Sequence, residues 1–310
     1  MPTAARKPDS QNNVQQLTTE SQNDASRALD NKSALEIARI INREDERVAK
    51  AIRKALPEIA QAIDVIADAI RKGGRLIYVG AGTSGRIAAL DASEIPPTYN
   101  TDPETVQYVM AGGAKALGAA SEANEDSREL GGADMSKRRP TNRDVVVGLA
   151  ASGRTPYTVA AVEFAKARGA TTVAVTCNAD SPLANAVDIP IIIEVGPEVI
   201  SGSTRMKAGT AQKMVLNMLT TGAMTRLGHV YGNLMVNVSM KNKKLIERGI
   251  GILQKAAGVD RELAQHALKT SNGSVPVALV MIKTGLNARQ AEQRLKAFNG
   301  HVRRAIEAES

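Results

Sequence analysis

The chain has 310 residues, 43% of them hydrophobic, and a formal net charge of +8. That length buries a full α/β core with room for one small appended module, and no apolar run approaches the ~18 residues that a membrane span needs. One cysteine, Cys177, excludes a disulfide framework and a cysteine-rich zinc site; with no secretory signal at the start, a reducing cytoplasmic setting is expected.

Residues 1–17 are polar and are expected to be disordered. Ser33 and Glu36 form a capping-box pattern that opens a helix. Val48, Ile52, Leu56, Ile59, Ile63, Ile66 and Ile70 then recur at steps of three and four, one stripe of a long helix bent near Pro57. Residues 18–72 thus read as N-terminal helices that pack on an α/β domain spanning residues 73–228. The strands of that domain are Arg75–Gly80, Asp144–Ala151, Thr171–Cys177 and Ile189–Val195, and a helix covers about Lys207 to Leu227. Continuous Val/Ile runs separated by helices predict a mainly parallel sheet covered on both faces, a three-layer arrangement. Residues 229–310 read as a small all-helical C-terminal module, with helices near 241–257, 260–271, 274–285 and 287–308. Residues 241–310 carry 13 Lys and Arg against 6 Asp and Glu. The only aromatic there is Phe298, so a nucleic-acid surface is not expected and a solvated helical face is.

Gly80, Gly82 and Gly85 match G-x-G-x-x-G, which on its own suggests a dinucleotide site. Such a site wants an acidic residue about 20 positions on, at the end of a strand. Asp102 and Glu104 lie at that distance, but in a Pro-flanked loop, and Thr83 and Ser84 fill the glycine loop with hydroxyls. A phosphate cradle fits better. The same chemistry recurs at two further strand ends, in Ser152 to Thr155 and in Ser201, Ser203 and Thr204 with Lys207 one turn on. Strand C-termini face one crevice in an open α/β sheet, and helix N-termini there favour an anion. Any one of these hydroxyls alone would pass for a helix cap. Glu94 stands before Pro96 and Pro97, which are expected to stop the helix and stiffen a turn around the carboxylate. Glu125 sits in an acidic cluster from Ser121 to Asp126 that also reads as a solvated helix end. Met206, Met214, Met218 and Met224 read as core or subunit contact.

Together, GAGTSGR, SGRT and SGSTRMKAGT resemble the sugar-isomerase (SIS) fold, and DASEIPPTY with LTTESQNDASRALD resembles the N-acetylmuramic acid 6-phosphate etherases, from about Leu17 to near the C-terminus. Ile95 departs from the cysteine expected there, at a position with no chemical role. The resemblance implies cleavage of the lactyl ether of the phosphosugar to N-acetylglucosamine 6-phosphate and D-lactate, in peptidoglycan recycling, with no cofactor and no metal. It implies Glu94 as the proton donor and Glu125 as the base at C2, with Thr83, Ser84, Ser152, Thr155, Ser203 and Thr204 on the phosphate and Lys207 as a further charge partner. His229 is the candidate imidazole for ring opening. A homodimer is also implied, with no nucleic-acid or membrane partner. An aldose–ketose isomerase and a non-catalytic sugar-phosphate regulator are the alternatives on the same fold.

Overall fold

The computed structural model describes residues 19–119, 124–240 and 242–308. The expected disorder of residues 1–17 lies outside them, as do Ser121, Glu122 and Ala123 of the acidic cluster.

Two helices open the fold where the sequence predicts a single bent one beyond a short first helix. α1 (Ala34–Lys54) starts on the Ser33–Glu36 capping box, and α2 (Leu56–Arg71) restarts after Ala55 with Pro57 in its first turn. Pro57 cannot donate the N–H that a continuous helix would need there, but it suits a new helix start. The stripe survives the break: Val48, Ile52, Ile59 and Ile66 are all buried against the sheet.

The sheet has five parallel strands in the order β2-β1-β3-β4-β5. Four are the expected ones, trimmed to β1 (Leu76–Gly80), β3 (Val145–Leu149), β4 (Thr171–Thr176) and β5 (Ile189–Ile192). The fifth, β2 (Val106–Met110), is an edge strand that follows Asp102 and Glu104 and has no counterpart in the expectation. Burial on both faces explains the unbroken apolar runs of β1 and β3. One core lies under α1, α2, α3 (Gly82–Tyr99) and α7 (Lys207–Leu227). The other lies under α4 (Arg128–Lys137), α5 (Pro156–Ala167) and the short α6 (Pro182–Ala186).

α3 runs through Pro96 and Pro97 to Tyr99 and ends on Asn100 in the left-handed region. Glu94 is therefore a helical residue, not part of a stiff turn. The prolines fall in the last turn and a half, where only the bonds to the carbonyls of Ala92 and Ser93 are forgone.

After Gly228 the chain forms a two-residue-a-side hairpin, β6 (Val230–Tyr231) and β7 (Leu234–Met235), where only helices were expected. Then come α8 (Lys243–Ala257), α9 (Arg261–Thr270), α10 (Val275–Thr284), α11 (Ala288–Ala297) and α12 (Val302–Glu307). The last two were expected as one; Asn299 and Gly300, both at positive φ, part them. These helices enclose a core of their own, from Val236 to Ala305.

Candidate active site

The chain leaves β1 for β2 on one side and returns to β3 on the other, so the C-terminal ends of β1 and β3 flank a crevice at the switch point. Gly80 pairs in register with Leu149, which sets the loop after β1 beside the loop after β3. α3 starts immediately. A Cβ on Gly85 would lie 2.7 Å from Met110 Cγ and 2.9 Å from the Gly80 carbonyl, so only glycine lets this helix approach the strands. Gly82 has φ +52°, and a Cβ there would stand 3.0 Å from Glu125 Oε1. Glu125 thus reaches the first residue of α3, where the positive end of the helix dipole faces its carboxylate. Its own carbonyl accepts the Tyr157 N–H (3.0 Å) at the start of α5. One residue ties the two loops together.

The three helix starts at the crevice share a property. Neither Ala81 before α3, nor Thr155 before α5, nor Met206 before α7 caps its helix with a side chain. They differ in what remains open. At α7, the carboxylate of Glu198 accepts from Lys207 N (3.0 Å) and Ala208 N (2.9 Å), so a protein carboxylate already fills the anion position expected for substrate. Glu198 is fully buried, and that burial raises its pKa despite the two N–H bonds. At α5, Pro156 has no N–H and Tyr157 donates to Glu125. At α3, the N–H groups of Gly82, Thr83 and Ser84 have no partner among the described residues. Of the three helix starts, this one leaves the most donors open.

Around that helix start the structure gathers several expected hydroxyls. Ser84 is nearly buried and donates to Gln212 Oε1 on α7 (2.9 Å). Thr83 and Thr204 lie against the start of α7, their Cγ2 and carbonyl 3.5 and 3.6 Å from a Cβ built on Gly209. Ser152 and Thr155 follow β3, just before the Tyr157 N–H that the Glu125 carbonyl accepts; Ser152 accepts from Arg154 N (3.2 Å). Ser203 precedes Thr204 on the same loop.

Other expected residues are placed elsewhere. Ser201 donates to the carbonyls of Glu20 (2.8 Å) and Ser21 (3.2 Å), which fastens the N-terminal segment to this loop. Lys207 is completely buried, its Nζ 2.7 Å from Glu44 Oε2, and Asn23 donates to the same oxygen (2.8 Å). Burial pushes the Glu44 carboxyl up, but the bonds from Lys207 and Asn23 outweigh it and hold the pKa below the usual value. The ammonium expected on the phosphate serves this internal network. His229 lies at the opposite edge of the sheet, near Tyr99 at the far end of α3 (ring centroids 6.1 Å apart), and burial lowers its pKa. Met224 is core, whereas Met214 and Met218 line an apolar groove with Leu56, Ile59 and Ile63. Glu94 is exposed, twelve residues along α3 from Gly82, or roughly 18 Å at the helical rise. One chain does not bring Glu94 and Glu125 together.

Curated relatives give the family. An N-acetylmuramic acid 6-phosphate etherase from Photorhabdus laumondii is 51% identical over 296 residues, 96% of this chain and 98% of that protein. The relative of the same name from Vibrio vulnificus is 52% identical, covering 94% and 98%. The chain belongs to the N-acetylmuramic acid 6-phosphate etherase family. Within it the SIS domain matches residues 129–222, and the glucokinase regulatory protein N-terminal SIS domain matches residues 58–166, which agrees with the parallel sheet and its flanking helices. A solved phosphoheptose isomerase from Francisella tularensis shares 18% identity with TM-score 0.49, over 63% of this chain and 100% of that one.

For an etherase-family chain, three residues near the crevice are absent from the sequence expectation. Gln212 is 1% exposed and its Nε2 has no partner, directly beneath Ser84. A glutamine among Ala208, Ala211 and Val215 breaks an apolar helix face, which was a signal available in the sequence. Glu198 and Glu20 were not legible, because each acts on a segment met only in the fold. Glu20 Oε2 stands 3.0 Å from a Cβ built on Gly202. For the dinucleotide reading, β2 ends at Met110 and is followed by Ala111 and Gly112, with no acid at its tip to hold a ribose.

Proposed function

We propose that the chain cleaves the lactyl ether of N-acetylmuramic acid 6-phosphate, giving N-acetylglucosamine 6-phosphate and D-lactate. The open N–H groups of Gly82, Thr83 and Ser84 carry this reading: they form a seat for a phosphate dianion, with the Glu125 carboxylate alongside. Charge-assisted hydrogen bonds contribute roughly 1.5–3 kcal/mol each, and the hydroxyls of Thr83, Ser152, Thr155, Ser203 and Thr204 add to the backbone donors, while the Ser84 hydroxyl is held by Gln212.

An ether resists direct hydrolysis, but the C1 aldehyde of the open-chain sugar acidifies the C2 proton. Glu125 removes that proton, the C3–O bond breaks, and Glu94 protonates the departing lactyl oxygen. Glu94 then takes a proton from water as its oxygen adds at C3, and C2 recovers a proton from Glu125. The sum is ether plus water to alcohol plus lactate.

The proton on C2 and the oxygen on C3 are neighbours, so both carboxylates must reach one sugar. The separation along α3 supports a homodimer in which Glu94 comes from the second copy. The apolar groove between α2 and α7 is the surface we assign to that contact, an exposed apolar patch being a mark of association. Residues 18–72, 73–228 and 229–310 serve as docking helices, catalytic α/β unit and appended module. No helix among the described residues is long and apolar enough to cross a membrane, in keeping with a cytoplasmic phosphosugar enzyme.

The test is D-lactate release from N-acetylmuramic acid 6-phosphate in D2O with a chelator present. Lactate, together with deuterium at C2 of the product, is expected. Deuterium exchange or ketose formation without lactate would point to the isomerase, and no turnover to the regulator.

A further inference from the structure

α2 runs directly into β1, so its last turn lies at the edge of the sheet opposite the crevice. α7 starts beside the first turn of α3, and its 21 residues carry its end roughly 30 Å away, to that same far edge. There the last turns of α2 and α7 meet the turn before α12 and enclose a cleft of about 260 Å³. Arg71, Arg226, Arg304, His229 and His301 line it, with Phe298 part of its apolar floor, and no carboxylate lines it among the described residues.

Two of the arginines have a local reason to be there. Arg71 and Arg226 sit in last helical turns, where a cation complements the dipole; they pair with Asp68 and with Asp64 (3.1 Å) respectively. Arg304 also lies in the last turn of its short helix but, unlike them, has no ion pair among the described residues, while its neighbour Arg303 pairs with Glu307 and stacks on Tyr231.

The imidazoles are set as donors. Asn237 Nδ2 donates to the Tyr99 carbonyl (2.7 Å) and lies 2.6 Å from His229 Nδ1, so that ring carries its proton on Nε2. His301 Nδ1 accepts the Arg304 N–H (3.4 Å) and has the same tautomer. Burial lowers the pKa of both rings, and at His301 the positive charge of Arg304 adds to it. Both are neutral Nε2–H donors near pH 7. Three guanidiniums, of which Arg71 and Arg226 are each shared with one aspartate, and two imidazole N–H groups in a cleft lined by no carboxylate among the described residues are the complement of a phosphate group.

We propose that this cleft is a second anion site, remote from the crevice, that binds the phosphate group of a small phosphorylated molecule. It accounts for part of the positive excess of the C-terminal module. It also lies at the seam between that module and the sheet domain: Gly228 closes on His301 so tightly that a Cβ would meet its Cα at 2.5 Å. A dianion bridging Arg226 to Arg304 would tie the module to the end of α7.

The chain contains no Trp, so Phe298→Trp places the sole tryptophan in the cleft, where it can be excited selectively over the five tyrosines. Full-length protein is titrated with inorganic phosphate and with glucose 6-phosphate, against potassium chloride at matched ionic strength. We expect a saturable emission change with phosphate and none with chloride, weakened tenfold or more by Arg304→Gln. Tighter binding of the ester assigns the site to phosphomonoesters, and equal binding to free phosphate. No saturable response, an equal response to chloride, or one that Arg304→Gln leaves intact would overturn the proposal. Calorimetry on chains that keep Phe298 is the second reading: phosphate sites per chain should fall by one in Arg304→Gln, while lactate release in phosphate-free buffer stays unchanged. An unchanged count would overturn it equally.

Discussion

Helix starts in the C-terminal module and helix starts at the crevice are built on opposite plans. In the module every helix supplies its own cap: Asn242 for α8, Asp260 for α9, Ser274 for α10, Asn287 with Gln290 for α11 and His301 for α12. At the crevice, α3, α5 and α7 have no such side chain. A cap satisfies orphan N–H groups and stabilises the fold; a missing cap leaves those groups to something else. At α7 that is Glu198, at α5 largely Glu125, and at α3 the groups have no partner among the described residues. The hydroxyls in GAGTSGR stand at the second and third helical positions rather than before the helix, where a cap would stand.

The largest effect is expected at Glu94. Glu94→Gln should lower lactate release about 10²–10⁴-fold, with the circular dichroism spectrum unchanged because the side chain is exposed. Near-normal turnover would remove Glu94 from the mechanism. Next comes the buried pair. Lys207→Met leaves Glu44 without its buried cation and should cost about 3–5 kcal/mol in urea unfolding, whereas a cost near zero would return Lys207 to the ligand contacts. The two plans are then compared directly. Asp260→Ala should cost about 1 kcal/mol of stability with KM unchanged, while Thr155→Val should raise KM about tenfold, the loss of one hydrogen bond to a charged group, with the melting temperature unmoved. A reversed pattern would break the contrast. The smallest effect is that of pH. Burial holds His229 below its ordinary pKa of 6.5, so the unfolded chain binds the proton more readily. Its contribution to stability is full above about pH 6.5 and declines as pH falls. His229→Gln should flatten the stability curve between about pH 7 and 5, and an unchanged slope would contradict this.

What the sequence showed plainly was local. The runs in β1, β3, β4 and β5 are apolar because both faces are covered, and α7 was legible from end to end. β2 escaped because Gln107 and Tyr108 interrupt its apolar pattern; Gln107 is buried, but its amide is spent on Glu104 (2.8–3.0 Å). The β6–β7 hairpin has only two residues a side, too few for any period to register. Motif and spacing also picked out the hydroxyl loops. They could not show that Glu198 closes α7, that Glu44 takes Lys207, or that Glu125 meets α3 at Gly82, three turns from Glu94, because each depends on segments far apart in the chain.

The central claim, that two carboxylates from two chains act on one sugar, is tested most directly by co-expressing Glu94→Gln and Glu125→Gln subunits and measuring D-lactate release. In a two-fold dimer with shared sites, each mixed pair keeps one intact site. The mixture should therefore recover about a quarter of the wild-type rate from two nearly inactive parents. Mixed dimers no more active than either parent alone would mean that both carboxylates belong to one chain, and the account of the site would be wrong.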